Sequence, residues 1–314
     1  MTEHRYLAFA WPARGCEADA AAGRWAERLA HAADWVRTLR RPGLEIWTSP
    51  ERGAPVRPLA GGAVVIGRML DRRSGLAAAV ADLPARPLEA ARRLRDETWG
   101  GYLALLPDRD GGLWAYREPS GALDAFAWRL GPVTAVSDDV QRLPAWLAPA
   151  DLALDWDAIA AVVADSYATG HLSTLAGYRP IPPGAVREWT RPGASDHQIW
   201  TAHAHALGDL DPTPAELRGV VVRTVAALAE AYPRLVVDVS GGLDSAVVAA
   251  ALVSGGHRSR VAGAVNYYAA ERAGDERAWA EAVTRRLGLP FVAAARCAAP
   301  LTEADFAELA KHVG

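Results

Sequence analysis

The residues with the clearest chemical potential form the string Ser240-Gly241-Gly242-Leu243-Asp244-Ser245, which follows an apolar run beginning at Leu235. The apolar run predicts a buried strand, and the string predicts a glycine-rich turn that enters a helix. Two glycines let the backbone approach a ligand closely, successive backbone amides form an anion-binding nest, and the helix N-terminus adds partial positive charge. The segment therefore predicts a loop that binds phosphate.

Polar side chains at the edges of this loop add to the prediction. Ser240 and Ser245 supply hydroxyl donors. Asp244 would be repelled by a bound phosphate unless a cation such as Mg²⁺ lay between them, so we predict that Asp244 is a metal ligand. The string lacks the GK[ST] ending of a Walker loop and is not a dinucleotide GxGxxG motif. A Gly-Gly pair alone would suit an ordinary turn between strand and helix, but the full string after an apolar strand favours phosphate binding.

Strands alternate with helices around the loop. The predicted strands cover residues 235–240, 261–267 and 291–295, and the predicted helices cover residues 244–254, 275–287 and 302–312. This alternation is typical of right-handed βαβ crossovers and a parallel sheet. Asn266 and Tyr267 end the second strand, at the carboxyl edge where nucleotides bind in open α/β sheets, so we predict that they contact adenine. Glu276, at the start of the next helix, is either a nucleotide-site residue or a helix-capping acid.

The preceding part of the chain has a different pattern. Short β-branched and aromatic runs bounded by Gly, Pro or Asp predict an α+β domain dominated by sheet, with a hairpin turn at residues 110–112. Helical spacing interrupts it at residues 18–40, 86–97 and 155–168. Residues 202–214 lack periodicity and predict a linker. We place the domain boundary near residue 210, before a helix with Thr213 as N-cap and Pro214 at its first position.

Composition excludes several classes of protein. The chain has 314 residues, of which 51% are hydrophobic and 23% are charged, and its net charge is −3. A disordered chain is excluded because half of the residues are apolar and the charged fraction is moderate. A nucleic-acid-binding protein is excluded because the near balance of acidic and basic residues leaves no broad basic surface. No apolar stretch approaches the roughly 18 residues that span a bilayer, so we expect no membrane anchor. Two cysteines are too few for a disulfide framework, which predicts a cytoplasmic location.

These motifs together resemble the asparagine synthetase and β-lactam synthetase superfamily, which includes the lasso peptide cyclases. The string 240–245 resembles its pyrophosphate-binding signature, and Arg117-Glu118-Pro119-Ser120-Gly121 resembles its arginine-acid-x-x-glycine turn. Residues 174–184 resemble the segment that ends in a Pro-Pro-Gly turn, and Trp200 lies where an aromatic residue precedes the linker. The resemblance extends along nearly the whole chain and is strongest to the lasso peptide cyclases.

The resemblance implies two domains. Residues 1–210 would form a degenerate glutamine-amidotransferase-like domain of the N-terminal-nucleophile (Ntn) type. Residues 211–314 would start an α/β ATP-pyrophosphatase domain. The family binds ATP with Mg²⁺, converts a carboxylate into its acyl-adenylate, releases pyrophosphate and lets an amine form an amide. The implied pyrophosphate contacts are Ser240, Gly241, Gly242, Leu243, Asp244 and Ser245, with Asp244 also on Mg²⁺.

Two departures from the family pattern shape the functional hypothesis. Thr2 stands where glutamine-hydrolysing members expose a cysteine, and Gly314 comes before the late glycine-rich turn, lysine and acid of the ring-forming branches. Lys311 lies too early to replace that lysine. We therefore expect an incomplete synthetase domain, in a fragment or in a subunit that a C-terminal partner chain completes. The catalytic residues stay unknown.

Loss of the glutaminase nucleophile suggests that the amine comes from the substrate itself. We therefore favour macrolactam formation, in which a lasso peptide cyclase joins a peptide's N-terminal amine to an Asp or Glu side chain. A β-lactam-type or ammonia-dependent asparagine synthetase-like enzyme and a non-catalytic nucleotide- or peptide-binding subunit are the alternatives. The expected partners are a peptide or small amino-acid substrate, a C-terminal partner chain, and leader-peptide processing proteins, without nucleic acid or membrane.

The substitution at position 2 predicts that the chain releases no glutamate from glutamine, because no cysteine thiolate is there to attack the amide. The measurement is glutamate formation across the pH range, compared with Thr2→Ala. Glutamate production that disappears in Thr2→Ala would reveal a working threonine nucleophile instead.

Overall fold

The computed structural model describes residues 5–12, 16–32, 34–51, 53–109, 111–138, 140, 143–165, 172–188, 195–207, 211–268 and 274–295. The chain divides into two compact units. The first comprises Met1–Arg73 with Ala77–Gly208, and the second comprises Ser74–Leu76 with Asp209–Gly314. Each unit has its own hydrophobic core.

The first unit is built mainly from strands. Its strands are β1 (Tyr6–Ala10), β2 (Val36–Arg41), β3 (Leu44–Thr48), β4 (Val56–Pro58), β5 (Val64–Asp71), β6 (Thr98–Pro107), β7 (Leu113–Arg117), β8 (Phe126–Leu130), β9 (Val133–Ser137), β10 (Ala153–Leu154), β11 (Leu175–Ala176), β12 (Arg179–Pro180), β13 (Ala185–Glu188) and β14 (Asp196–Gln198). Its helices are α1 (Cys16–Ala30), α2 (Pro87–Glu97), α3 (Trp156–Ala164) and α4 (Ala202–Ala206).

Two antiparallel six-stranded sheets form the body of this unit, in the orders β12-β8-β9-β1-β3-β2 and β14-β13-β7-β6-β5-β4. Successive side chains of a strand point to opposite faces of its sheet, and this alternation shows which faces of the two sheets pack together. Tyr6 and Ala8 of β1 share one core with Ile66 of β5, between the sheets, whereas Leu7 and Phe9 face the core that contains α1. A third core joins α2 to the outer face of the second sheet. The layers are therefore helix, sheet, sheet and helix, which agrees with the predicted sheet-rich α+β domain.

The turn at Arg117 ties the two sheets of this unit together. Arg117 is buried, and its guanidinium donates to the carbonyl oxygens of Leu123, Gly121 and Ile181, each at 2.9 Å. It also donates to the Asp124 carboxylate at 2.6 Å. A lysine could not make this fork of bonds, because only the planar guanidinium carries five donors. The arginine in the Arg117–Gly121 motif thus has a structural role in this fold.

The second unit alternates helices with parallel strands. Its elements are α5 (Pro214–Ala229), β15 (Leu235–Asp238), α6 (Leu243–Ser254), β16 (Val261–Tyr268), α7 (Arg277–Leu287) and β17 (Phe291–Ala295). The strands pair in parallel in the order β15-β16-β17. Helix α5 begins with the capping box of Thr213 and Glu216, as the Thr213-Pro214 pair indicates. The predicted parallel α/β sheet is therefore confirmed.

The structure corrects two of the elements predicted from the sequence. The helix expected over residues 18–40 ends at Ala30, and Val36–Arg41 forms the edge strand β2, because its backbone pairs with β3. The linker expected over residues 202–214 contains the short helix α4, capped by the Thr201 hydroxyl. The helix expected at residues 302–312 lies outside the described residues, as do Thr2 and Lys311.

None of the helices in the described ranges has the length and hydropathy needed to cross a bilayer.

The core between the two sheets predicts that truncating a leucine inside it destabilises the protein more than truncating an exposed leucine. Leu105 is fully buried in that core, whereas Leu154 is 55% exposed on β10. We expect Leu105→Ala to lower the free energy of unfolding by about 2–5 kcal/mol and Leu154→Ala to lower it by less than about 1 kcal/mol. Urea unfolding followed by tryptophan fluorescence measures both variants. Equal losses would contradict a core between the sheets.

Candidate phosphate-binding site

The glycine-rich string leaves the sheet at the carboxyl end of β15. Val239 is buried, and its amide donates to the carbonyl oxygen of Val265 at 2.8 Å, which extends the parallel pairing by one residue. The chain then turns at Ser240, passes through Gly241 with a left-handed φ of 99°, and enters α6 at Leu243. The local fold is thus the predicted strand, glycine turn and helix.

Two hydroxyl groups hold the turn closed. The Ser240 amide donates to the Ser245 Oγ at 3.1 Å, and the two Oγ atoms lie 3.0 Å apart. The Gly242 amide donates to the Ser240 Oγ at 3.3 Å. The start of α6 has no side-chain cap from any residue that the structure describes. The first-turn amides of a 12-residue helix therefore lie behind an exposed loop, an arrangement that favours an anion.

Glu276 lies directly against the glycine turn. A Cβ placed on Gly241 would lie 2.6 Å from the Cβ of Glu276 and 3.0 Å from its carbonyl oxygen. Both distances are shorter than van der Waals contact, so no side chain larger than hydrogen fits at position 241. The structure therefore brings Glu276 to the loop across 35 residues of sequence, and within the described residues its carboxylate accepts no hydrogen bond.

Neighbouring side chains fix the segment that carries Glu276. The Arg277 guanidinium donates to both oxygens of Asp275, at 2.8 and 2.6 Å, and its Cζ lies 3.9 Å from the ring centroid of Tyr268. The hydrogen bonds from Arg277 lower the pKa of Asp275 to about 2, so this carboxylate stays ionised at neutral pH. The contact of Tyr268 with Arg277 was not predicted from the sequence. The Asp275-x-Arg277 spacing could have predicted the ion pair between those two residues.

The remaining predicted site residues differ in accessibility. Asn266 is 1% exposed, and its Nδ2 donates to the carbonyl oxygen of Val239 at 2.8 Å. Tyr267 is half exposed at the carboxyl edge of the sheet. Leu243 and Asp244 are exposed in the first turn of α6. The structure thus brings Asn266 and Glu276 to the loop, and it leaves Tyr267 and Asp244 open to solvent.

Asp244 is the residue that could hold a cation at this loop. The described residues contain no group of three or more His, Cys, Asp or Glu side chains that could form a metal site alone. Mg²⁺ commonly takes one or two protein carboxylates and completes its shell with phosphate oxygens and water. A single exposed carboxylate beside a phosphate cradle fits that pattern.

Comparisons with known proteins bear on the second unit. Residues 216–313 match the family model described as asparagine synthase. This match supports placing the segment in the asparagine synthetase superfamily, and it contains the whole glycine loop, Asn266 and Glu276. No curated protein sequence matches the chain.

Two solved structures show limited similarity. One is a glutamine-dependent NAD+ synthetase from Acinetobacter baumannii in complex with ADP, with 18% identity, a TM-score of 0.26, and coverage of 45% of this chain and 31% of that one. The other is described as the allosteric regulatory enzyme of purine biosynthesis, with 10% identity, a TM-score of 0.29, and coverage of 93% of this chain and 74% of that one. At these TM-scores neither carries a functional argument. The chain spans less than a third of the NAD+ synthetase.

The contact at Gly241 predicts unequal costs for two glycine substitutions. Gly256 also has a left-handed φ, of 86°, but a Cβ there would meet no atom within 4 Å. We expect Gly256→Ala to cost about 1 kcal/mol from backbone strain. Gly241→Ala adds a collision with Glu276 and should lower the thermal midpoint further. Differential scanning calorimetry of both variants measures the difference, and equal midpoints would show that Glu276 does not contact the loop.

Proposed function

We propose that the chain is part of an ATP-dependent amide ligase of the asparagine synthetase superfamily, in which residues 240–245 bind the phosphates that leave as pyrophosphate. The observation that carries this proposal is the glycine loop at the carboxyl end of β15, inside the segment that matches asparagine synthase. Its uncapped helix start, left-handed glycine and exposed position suit an anion.

The residues of the loop have separable roles in this proposal. The amides at the start of α6 donate to phosphate oxygens, and Gly241 lets the backbone come within hydrogen-bonding distance of them. Ser240 and Ser245 keep the turn closed through their mutual contact and offer hydroxyl donors at its edge. Asp244 holds Mg²⁺, which neutralises phosphate charge when it is bound. Tyr267, half exposed at the same sheet edge, is the residue that we assign to adenine.

The reaction that we propose has two steps. ATP adenylates a carboxylate and releases pyrophosphate, and an amine of the same substrate then attacks the acyl-adenylate, which releases AMP and a proton and closes a macrolactam. Support comes from the resemblance to lasso peptide cyclases and from Thr2 in place of a glutaminase cysteine. The helix, sheet, sheet and helix layers of the first unit suit a glutaminase-like Ntn domain that has lost its nucleophile. We place the protein in the cytoplasm, with a peptide substrate.

The metal role of Asp244 predicts a selective loss of binding. Asp244→Ala should weaken Mg²⁺·ATP binding at least tenfold and leave adenosine binding unchanged, because only the phosphates need the cation. Asp211→Ala, an exposed aspartate in the same unit, is the matched control and should bind both ligands normally.

Isothermal titration calorimetry on the full chain measures these affinities. Equal losses for Mg²⁺·ATP and adenosine in Asp244→Ala would remove Asp244 from the metal site. Absence of Mg²⁺·ATP binding to the unsubstituted chain would contradict the proposed function itself.

A further inference from the structure

Asn266 is a buried polar residue directly beneath the glycine loop. Its side chain is 1% exposed, and its Nδ2 donates to the carbonyl oxygen of Val239 at 2.8 Å. Val239 is the last residue before the turn at Ser240 and is itself fully buried. The donor end of this amide is thus engaged with the backbone, and the adenine contact expected from the sequence stays a prediction.

The hydrogen bond from Asn266 to the Val239 carbonyl lies where β15 stops pairing with β16. The residue pairs of β15 with β16 end at Asp238 and Val265, and one further bond joins the Val239 amide to the Val265 carbonyl. The carbonyl oxygen of Val239 then receives a side-chain donor, the Asn266 Nδ2, in place of a backbone amide. Buried carbonyl groups need a partner, so this substitution lets the chain leave the sheet at Ser240 without an unpaired acceptor.

The other end of the Asn266 amide supports the same interpretation. Its Oδ1 is buried and has no hydrogen-bond partner within the described residues. A buried acceptor without a partner is unfavourable, and such groups in folded proteins call for an explanation. The donor Nδ2 on the same side chain provides the explanation. An apolar residue of similar size would have no unpaired Oδ1, but it would leave the buried Val239 carbonyl without a donor.

We propose that Asn266 is a positioning residue that sets the conformation of the phosphate-binding loop by holding the carbonyl of Val239. The inference rests on the proposed function, since it concerns how the same loop is prepared for pyrophosphate. Asn266 acts through the backbone at the point where the loop begins. The amides that follow, from Gly241 to Leu243, depend on the direction in which the chain leaves Val239.

The test uses Asn266→Asp in the full chain, because aspartate keeps the size of the side chain and replaces the donor nitrogen with an acceptor oxygen. We expect the affinity for inorganic pyrophosphate with Mg²⁺ to fall at least tenfold and the affinity for adenosine to change less than twofold. Thr284→Val is the control, because Thr284 is a fully buried polar residue on α7 whose hydroxyl bonds to Glu281. It should lower the thermal midpoint without changing pyrophosphate affinity.

A second readout requires no ligand. Amide hydrogen exchange at Val239 and Ser240, whose amides donate to the Val265 carbonyl and the Ser245 Oγ, should become at least tenfold faster in Asn266→Asp, while exchange in α7 stays unchanged. If that variant does not fold, the same comparison is made with Asn266→Ser, whose shorter side chain cannot reach the Val239 carbonyl. Unchanged exchange and pyrophosphate affinity in a folded variant, or equal losses for pyrophosphate and adenosine, would overturn the positioning role. A wild-type chain that binds no pyrophosphate would instead refute the proposed function.

Discussion

The candidate site depends on one constraint, which is that the chain must leave a parallel sheet abruptly at Val239 and still satisfy its buried backbone. Asn266 satisfies the Val239 carbonyl, and the Val265 carbonyl accepts the Val239 amide. Gly241 then takes a left-handed conformation that an L-residue adopts only at a cost. Because these conditions are met within a few residues, α6 starts with its amides directed at the carboxyl edge of the sheet, where nucleotides bind in open α/β folds.

A second element, the start of α7, lies against the loop. The contact between Gly241 and Glu276 couples the loop to the start of α7. Arg277 holds that start in place through Asp275 and the ring of Tyr268. The carboxylate of Asp275 is thus committed to structure, whereas that of Asp244 is exposed and makes no ion pair within the described residues. We therefore expect a structural role for Asp275 and a metal-binding role for Asp244.

The sequence was most informative where structure is local. The string 240–245, the cap at Thr213 and the strand at residues 291–295 were all predicted, because each depends on spacing within a few residues. Residues 36–40 were predicted as helix but form a strand, since their place in the sheet is set by pairing with β3. The burial of Asn266 and the approach of Glu276 to Gly241 could not be predicted, because both arise from packing between segments more than 25 residues apart.

Binding of the ATP phosphates by residues 240–245 can be measured by hydrogen exchange of the full chain with and without Mg²⁺·ATP. We expect slower exchange at the amides of residues 240–245 with Mg²⁺·ATP, no slowing there with adenosine, and no change in α2, which belongs to the other unit. Unchanged exchange in the loop at saturating Mg²⁺·ATP, or protection confined to other segments, would contradict phosphate binding by this loop.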